Sequence, residues 1–233
     1  MNINILVDYL ILSGFASLGI NYIIRNIARN YNVLVDLPDK SRKFHKRPTP
    51  LTGGIAIFFS LLISGKIYID INDLNDFIPL FSIMLFVASF FIIIVFLIDD
   101  TKGIKPAYRL IAQIAAAYFV IHSTGIYLEN LGDLFGFGEI YLGVYGIPIT
   151  IFCVVGVMNA FNMIDGINGL CAGSALVMML FTGVASGFIF DSMLVLLIGS
   201  MAGFLVFNLR VMGKKRAVFL GDHGSNFIGF LVA

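Results

Sequence analysis

Charge is scarce in this sequence: 15 Lys/Arg and 14 Asp/Glu make up 12% of 233 residues, against about a quarter in water-soluble domains. With 59% apolar residues and 23 Phe, that scarcity excludes an ordinary soluble domain. A formal net charge of +1 argues against general nucleic-acid binding. Cysteine is nearly absent. Cys153 and Cys171 lie in apolar stretches without metal-ligand spacing, which excludes a disulfide scaffold and reads as two buried thiols. There is no GxxxxGK[ST] phosphate loop. The first apolar segment has no basic region before it and no small-residue cleavage site after it, so it is not a cleavable signal peptide. No internal repeat, low-complexity tract or soluble linker divides the chain.

What is present is apolar sequence in long runs. Crossing a bilayer as a helix takes about 20 mostly apolar residues, with about 17 as a minimum. Residues 3–24, 51–67, 78–98, 107–123, 145–163, 169–189 and 193–209 qualify, the second and fourth least clearly, and an eighth run opens at Asn226. The expectation is an all-α polytopic membrane protein of seven transmembrane helices plus the start of an eighth. A small β-hairpin is expected in the outside loop 124–144, where turn glycines flank β-prone stretches.

Basic residues orient these spans. Alternate loops hold seven Lys/Arg (Arg25 to Arg47), three (Lys102 to Arg109) and four (Arg210 to Arg216), while the intervening loops hold Lys66 alone. The positive-inside bias makes the basic loops cytoplasmic and the amino terminus external.

Three polar clusters and one basic loop fall on that same cytoplasmic face. Asp99 and Asp100 follow the apolar run FFIIIVFLI. Adjacent carboxylates near a membrane repel, a conflict that a divalent cation or a nearby Lys/Arg resolves; a solvated helix end is the competing reading. Asn159, Asn162, Asp165 and Asn168 recur every three residues in MNAFNMIDGINGL. They form a slowly drifting helical stripe that suits a ligand site, or helix–helix hydrogen bonding. In GDHGS, Asp222 stands where a helix begins, a place for a phosphate and its Mg²⁺, or merely an N-cap. The loop DLPDKSRKFHKRPTPLTGG ends on Gly53-Gly54, where a backbone could approach a ligand. His45 and His223 stand alone in sequence and do not suggest a metal site by spacing; His122 reads as interfacial. Gathered carboxylates, amides and cations suit an anionic, partly lipid-soluble substrate and phosphoryl transfer.

DLPDKSRKFHKRPTPLTGGIAI, FLIDDTKGIKPAYRLIAQ, NAFNMIDGINGL and FLGDHGSNFIGF, in this order, resemble the motifs of the polyprenyl-phosphate N-acetylhexosamine-1-phosphate transferases, glycosyltransferase family 4. The resemblance covers nearly the whole chain. The RKxHxxPxPxxGG loop is more similar to the undecaprenyl-phosphate N-acetylglucosamine-1-phosphate branch than to the muramoyl-pentapeptide branch, which stays as the alternative. The resemblance implies one integral membrane transferase domain over 1–233 in a bacterial plasma membrane. It implies transfer of an N-acetylhexosamine-1-phosphate from a UDP-sugar to undecaprenyl phosphate, with Mg²⁺ or Mn²⁺ and release of UMP. The product would start a cell-envelope polysaccharide such as lipopolysaccharide or teichoic acid. It implies catalytic roles for Asp99, Asp100 and Asp165. Substrate-binding roles fall to Lys43, His45, Lys102, Asn159, Asn162 and Asn168, and metal ligation to Asp222, with Asp165 as a second candidate. No nucleic-acid partner is implied, and a homodimer is left open.

Two features depart from the pattern. Where the family commonly has DGxDGL, this chain has Asn168, which keeps the hydrogen-bonding reach but loses a charge. Family members also continue through further spans and a cytoplasmic loop with a His/Arg-rich motif, so the chain is expected to be a fragment, the front two-thirds of an enzyme. A truncated, non-catalytic membrane relative is therefore a rival reading. A proton-coupled transporter is another, disfavoured because the acidic residues crowd one membrane edge instead of the midplane.

Overall fold

The computed structural model describes residues 3–38, 47–72, 80–136, 138–185 and 192–233. They form helices α1 (Ile3–Tyr31), α2 (Gly53–Ile71), α3 (Leu80–Lys102), α4 (Pro106–Thr124), α5 (Gly146–Ile164), α6 (Leu170–Ala185), α7 (Ser192–Asn208) and α8 (Asp222–Val232). Two short strands, β1 (Val35–Asp36) and β2 (Thr49–Pro50), pair antiparallel. Each expected apolar run thus contains a helix among the described residues. α1 continues past residue 24 to Tyr31, carrying Arg25 and Arg29 in its last turns, where cations meet the negative end of the helix dipole. Four segments are long and apolar enough to cross a membrane: Leu6–Tyr31, Gly53–Ile71, Leu80–Lys102 and Gly143–Ile164. α6 and α7 contribute shorter apolar helices, Leu170–Ala185 and Met193–Asn208. α4, interrupted by Arg109, Gln113 and His122, is not one of the four. These are the helices of a membrane protein.

Small residues let the helices approach. Gly199 and Gly203 on α7 lie one turn apart against α1. A Cβ at Gly199 would fall 2.4 Å from the Leu10 carbonyl oxygen, and one at Gly203 would fall 2.6 Å from that of Gly14. This is the small-xxx-small packing of membrane helices. The centre of the bundle belongs to α8, whose residues His223 through Phe230 are all buried. It packs against α2, α3, α5 and α6, between a cluster including Ile57, Phe204 and Phe227 and a second including Ala88, Ile92, Phe96, Met158 and Phe230. Sequence alone marks this segment as the start of a span; the fold makes it the axle of the bundle. Glycine is the reason: the Gly229 Cα lies against α5, where a Cβ would come 2.8 Å from the Met158 Cα.

A small β roof ties α8 to the first loop. Val35 pairs with Pro50 and Asp36 with Thr49. Phe219 then bridges to Leu51, its N–H donating to the Pro50 carbonyl at 2.8 Å and its carbonyl accepting from Gly53 at 3.0 Å. Nothing in the sequence pattern points to this pairing of 49–51 with 219. Within 124–144 the described residues form no strand pair and only an isolated antiparallel bridge between Asn130 and Tyr141, so the expected hairpin is not established there. Cys171 is buried, but Cys153 is exposed, contrary to expectation. An apolar position in a membrane bundle can face lipid as readily as core. His122 stacks on Tyr118 at a centroid distance of 5.6 Å.

Candidate active site

At the α8 amino terminus a cavity of about 590 Å³ opens, lined by Asp36, Leu51, Asp99, Asp100, Asp165, Gly166, Asn168, Asn208, Arg210 and the segment Phe219–Asp222. Residues from four separate sequence motifs meet here. A second cavity of about 430 Å³, at the other end of α8, is lined almost wholly by apolar side chains such as Phe81, Val120, Leu194 and Phe230. The polar chemistry is confined to the first.

The neighbours Asp99 and Asp100 diverge because successive residues on a helix point about 100° apart. Asp99, buried, faces α4. Its Oδ2 lies 2.8 Å from Arg109 Nε, and its Oδ1 accepts the Ile104 N–H at 2.6 Å. Arg109 Nε also donates to the Ile104 carbonyl at 3.1 Å, and its Nη1 lies 3.7 Å from Asp222 Oδ2. One guanidinium therefore spans two of the acidic positions. Asp100 faces α8. It accepts the N–H groups of Asp222 at 3.0 Å and His223 at 3.2 Å, and its Oδ2 lies 2.5 Å from Nδ1 of the buried His223. A carboxylate is thus placed at a helix amino terminus, where unsatisfied N–H groups and the helix dipole favour it. Sequence alone left His223 without a role; its pairing with Asp100 spans 123 positions.

Asp165 ends α5 as its C-cap residue. Burial, reinforced by the charges of Asp222 and Asp100, pushes its carboxyl up to about 8. Following it, Gly169 adopts φ +79° and its N–H donates to Asn208 Oδ1 at 2.5 Å. Asn208 in turn donates to the Val218 carbonyl at 3.0 Å. With its amide oxygen turned toward Arg210, Asn168 accepts from Nε and Nη2, both at 3.1 Å.

The other expected residues are placed differently. Asn159 does not line the cavity; it donates to Gln113 Oε1 at 2.9 Å, and Gln113 donates to Asn226 Oδ1 at 2.7 Å. Asn226 then donates to the Asp222 carbonyl at 2.9 Å, so this amide chain fastens α4, α5 and α8. Asn162 accepts from Ser225 Oγ at 2.8 Å and also lies outside the lining. Half of the asparagine stripe is therefore helix–helix hydrogen bonding, and half borders the cavity. Lys102 stands exposed, outside the lining. Gly53 and Gly54 approach protein instead of ligand: a Cβ on Gly54 would lie 2.3 Å from the Gly224 Cα. Lys43 and His45 lie outside the described residues. Arg109, Gln113, Asn208, Arg210 and Asn226 were not singled out by sequence. A lone polar residue in or beside an apolar run was the available signal for Gln113 and Asn208.

Among the described residues no group of three or more His, Cys, Asp or Glu side chains is arranged to hold a metal ion by itself. The Asp222 and Asp165 carboxylates nevertheless suit a hard cation such as Mg²⁺, which is commonly bound through one or two carboxylates plus substrate phosphates while keeping several waters.

A family model described as Glycosyl transferase family 4 matches residues 82–233. Among curated proteins, the undecaprenyl-phosphate alpha-N-acetylglucosaminyl 1-phosphate transferase of Yersinia pestis is 33% identical over 210 residues, covering 88% of this chain and 56% of that protein. The protein of the same description from Escherichia coli (strain K12) is 33% identical over 214 residues, covering 89% and 55%. A Bacillus subtilis (strain 168) protein described as "Probable undecaprenyl-phosphate N-acetylglucosaminyl 1-phosphate transferase" is 28% identical over 232 residues, covering 96% and 60%. The chain spans somewhat more than half the length of these relatives.

Proposed function

Because the chain belongs to glycosyl transferase family 4, we propose that it transfers N-acetylglucosamine-1-phosphate from a UDP-sugar to undecaprenyl phosphate, releasing UMP. The activity named for the relatives supports this acceptor and sugar over muramoyl-pentapeptide transfer. The observation that carries the reading is the convergence of Asp99, Asp100, Asp165 and Asp222, from three motifs, on one polar cavity. In this reading 1–233 is one multi-pass transferase domain with its cavity toward the cytoplasm. The hydrogen bonds of Arg25 and Arg29 to the Lys215 carbonyl support that orientation, since they draw two of the basic loops to one end of the bundle.

The reaction is an in-line displacement, in which an oxygen of the lipid phosphate attacks the phosphorus attached to the sugar and UMP departs. A phosphate monoester has a second pKa near about 6 and is largely dianionic at pH 7, so no general base is required. The commitments of Asp99 to Arg109 and of Asp100 to α8 agree with that, and both act as positioning groups. Asp100 fixes the first turn of α8 and so the direction of Asp222, while Arg109 keeps Asp99 paired and lies close to Asp222. Asp222 and Asp165 would hold Mg²⁺ or Mn²⁺, which when bound neutralises diphosphate charge and stabilises the leaving nucleotide.

The test is UMP release from UDP-N-acetylglucosamine and undecaprenyl phosphate by the full chain in Mg²⁺. Asp222→Asn should lower turnover by at least about a thousandfold. Wild-type turnover in that variant, or a preference for the muramoyl-pentapeptide donor, would overturn the assignment.

A further inference from the structure

Among the described residues the cavity lining is strongly acidic and includes one cation. Five aspartates, Asp36, Asp99, Asp100, Asp165 and Asp222, border it together with Arg210. These carboxylates repel an entering phosphate, so a cation held at the cavity edge matters.

That placement is closely determined. Arg210 follows α7 with φ +62°, a left-handed conformation that is uncommon for a long side chain and persists where the surroundings over-determine it. Its N–H donates to the Phe207 carbonyl at 3.1 Å, and its carbonyl accepts from Gly213 at 2.8 Å. The neighbouring Leu209 packs beneath Gly169, where a Cβ would come 2.3 Å from Leu209 Cδ2. Asn208 bonds the Gly169 N–H. Residues 165–169 and 208–210 therefore form one locked unit with the guanidinium at its edge.

Asn168 occupies only part of that guanidinium. Its oxygen takes Nε–H and one Nη2–H, leaving both Nη1 hydrogens and the second Nη2 hydrogen, the end-on fork that matches two phosphate oxygens. The amide is neutral, so it orients Arg210 without cancelling its charge; an aspartate in its place would form an ion pair.

We propose that Arg210, oriented by Asn168, is a phosphate-recognition residue of this cavity, taking the phosphate of the nucleotide donor or of the lipid acceptor. The inference rests on the transferase reading and adds to it a residue that offsets the acidic wall.

Calorimetric titration of the full chain in detergent, with EDTA present so that no divalent ion contributes, tests it. The ligands are uridine, UDP and a short-chain polyprenyl phosphate, and the proteins are wild type, Arg210→Ala, Arg210→Lys and Asn168→Asp. Arg210→Ala should weaken UDP or the prenyl phosphate about 10- to 100-fold, the loss expected for charge-assisted hydrogen bonds. Arg210→Lys should fall between, and Asn168→Asp should weaken the same ligand about fivefold. Uridine, which has no phosphate, should bind all four proteins equally, a result that damage to the fold would not give. Loss with UDP assigns the donor phosphate; loss with the prenyl phosphate assigns the acceptor. If wild type binds these ligands and Arg210→Ala binds them as tightly, the inference fails and the transferase reading stands. If wild type binds none of them without a divalent ion, the inference fails, and UMP release in Mg²⁺ decides the transferase reading separately.

Discussion

Gly54 offers a sharp link between packing and chemistry, and Gly54→Ala is the perturbation that exposes it. A Cβ there would lie 2.3 Å from the Gly224 Cα, 2.7 Å from its backbone nitrogen and 2.7 Å from His223 Cδ2. Carbon atoms rest comfortably at about 3.5–4.0 Å, so the α2 and α8 backbones must part by more than about 1 Å. Backbone cannot rotate aside as a long side chain can. Alanine gains up to about 1 kcal/mol of helix propensity, while overpacking costs about 1–3 kcal/mol and more where backbone must move. The net expectation is a loss of about 2 kcal/mol, or about 4–8 °C in unfolding midpoint for a chain of this size. Gly65→Ala, on the same helix with nothing within 4 Å of its Cβ, is the control and should be neutral or slightly stabilising. Because the displaced element carries Asp222, turnover should fall as well, by about a hundredfold for a shift near 1 Å. The assays are thermal unfolding in detergent and UMP release. Equal midpoints and equal turnover in the two variants would refute both the close approach of α2 to α8 and its bearing on the site.

Other consequences can be measured directly. Arg109→Ala leaves Asp99 buried without its ion-pair partner, so it should destabilise by about 3–5 kcal/mol by denaturant unfolding, with Arg109→Lys recovering part. Gln113→Leu cuts the chain from Asn159 to Asn226 and should cost about 1–2 kcal/mol in the same measurement. The Asp165 carboxyl is raised from 3.8 to about 8, so the folded, metal-free protein binds a proton that the unfolded chain releases. Its contribution to stability is therefore greatest at low pH and declines as pH rises from 3.8 to about 8. Since a metal requires the carboxylate, Mg²⁺ titration in weak buffer should release a proton at about pH 7 and little at about pH 9, and Asp165→Asn should reduce the release, with any remainder coming from Asp222, whose carboxyl is also raised by burial.

Much of the fold was legible because a membrane helix is written in one dimension. An apolar run of sufficient length must satisfy its backbone internally, whatever surrounds it, and each predicted run contains a helix, four of them long and apolar enough to cross a membrane. The candidate site was legible in part. Asp100, Asp165, Asn168 and Asp222 all border the cavity, whereas Asn159 and Asn162, from the same stripe as Asp165, hold helices together. A repeat of three places residues on a common helical face but does not say what that face meets. Gly53 and Gly54 show the same ambiguity: close approach was readable, its partner was not.

Sequence by itself determined that this is an apolar, helical chain with its carboxylates and amides clustered at the ends of apolar runs, and its motifs named a family. Only the tertiary structure decided how those groups divide their work. It turned Asp99 toward Arg109 and Asp100 toward α8, drew His223 to Asp100, and set Asn168 against Arg210. The physical reason is that periodicity and composition act within one segment, while hydrogen bonds and ion pairs between segments depend on which backbones can approach. That approach was settled by glycines at the crossings of α2, α5 and α8.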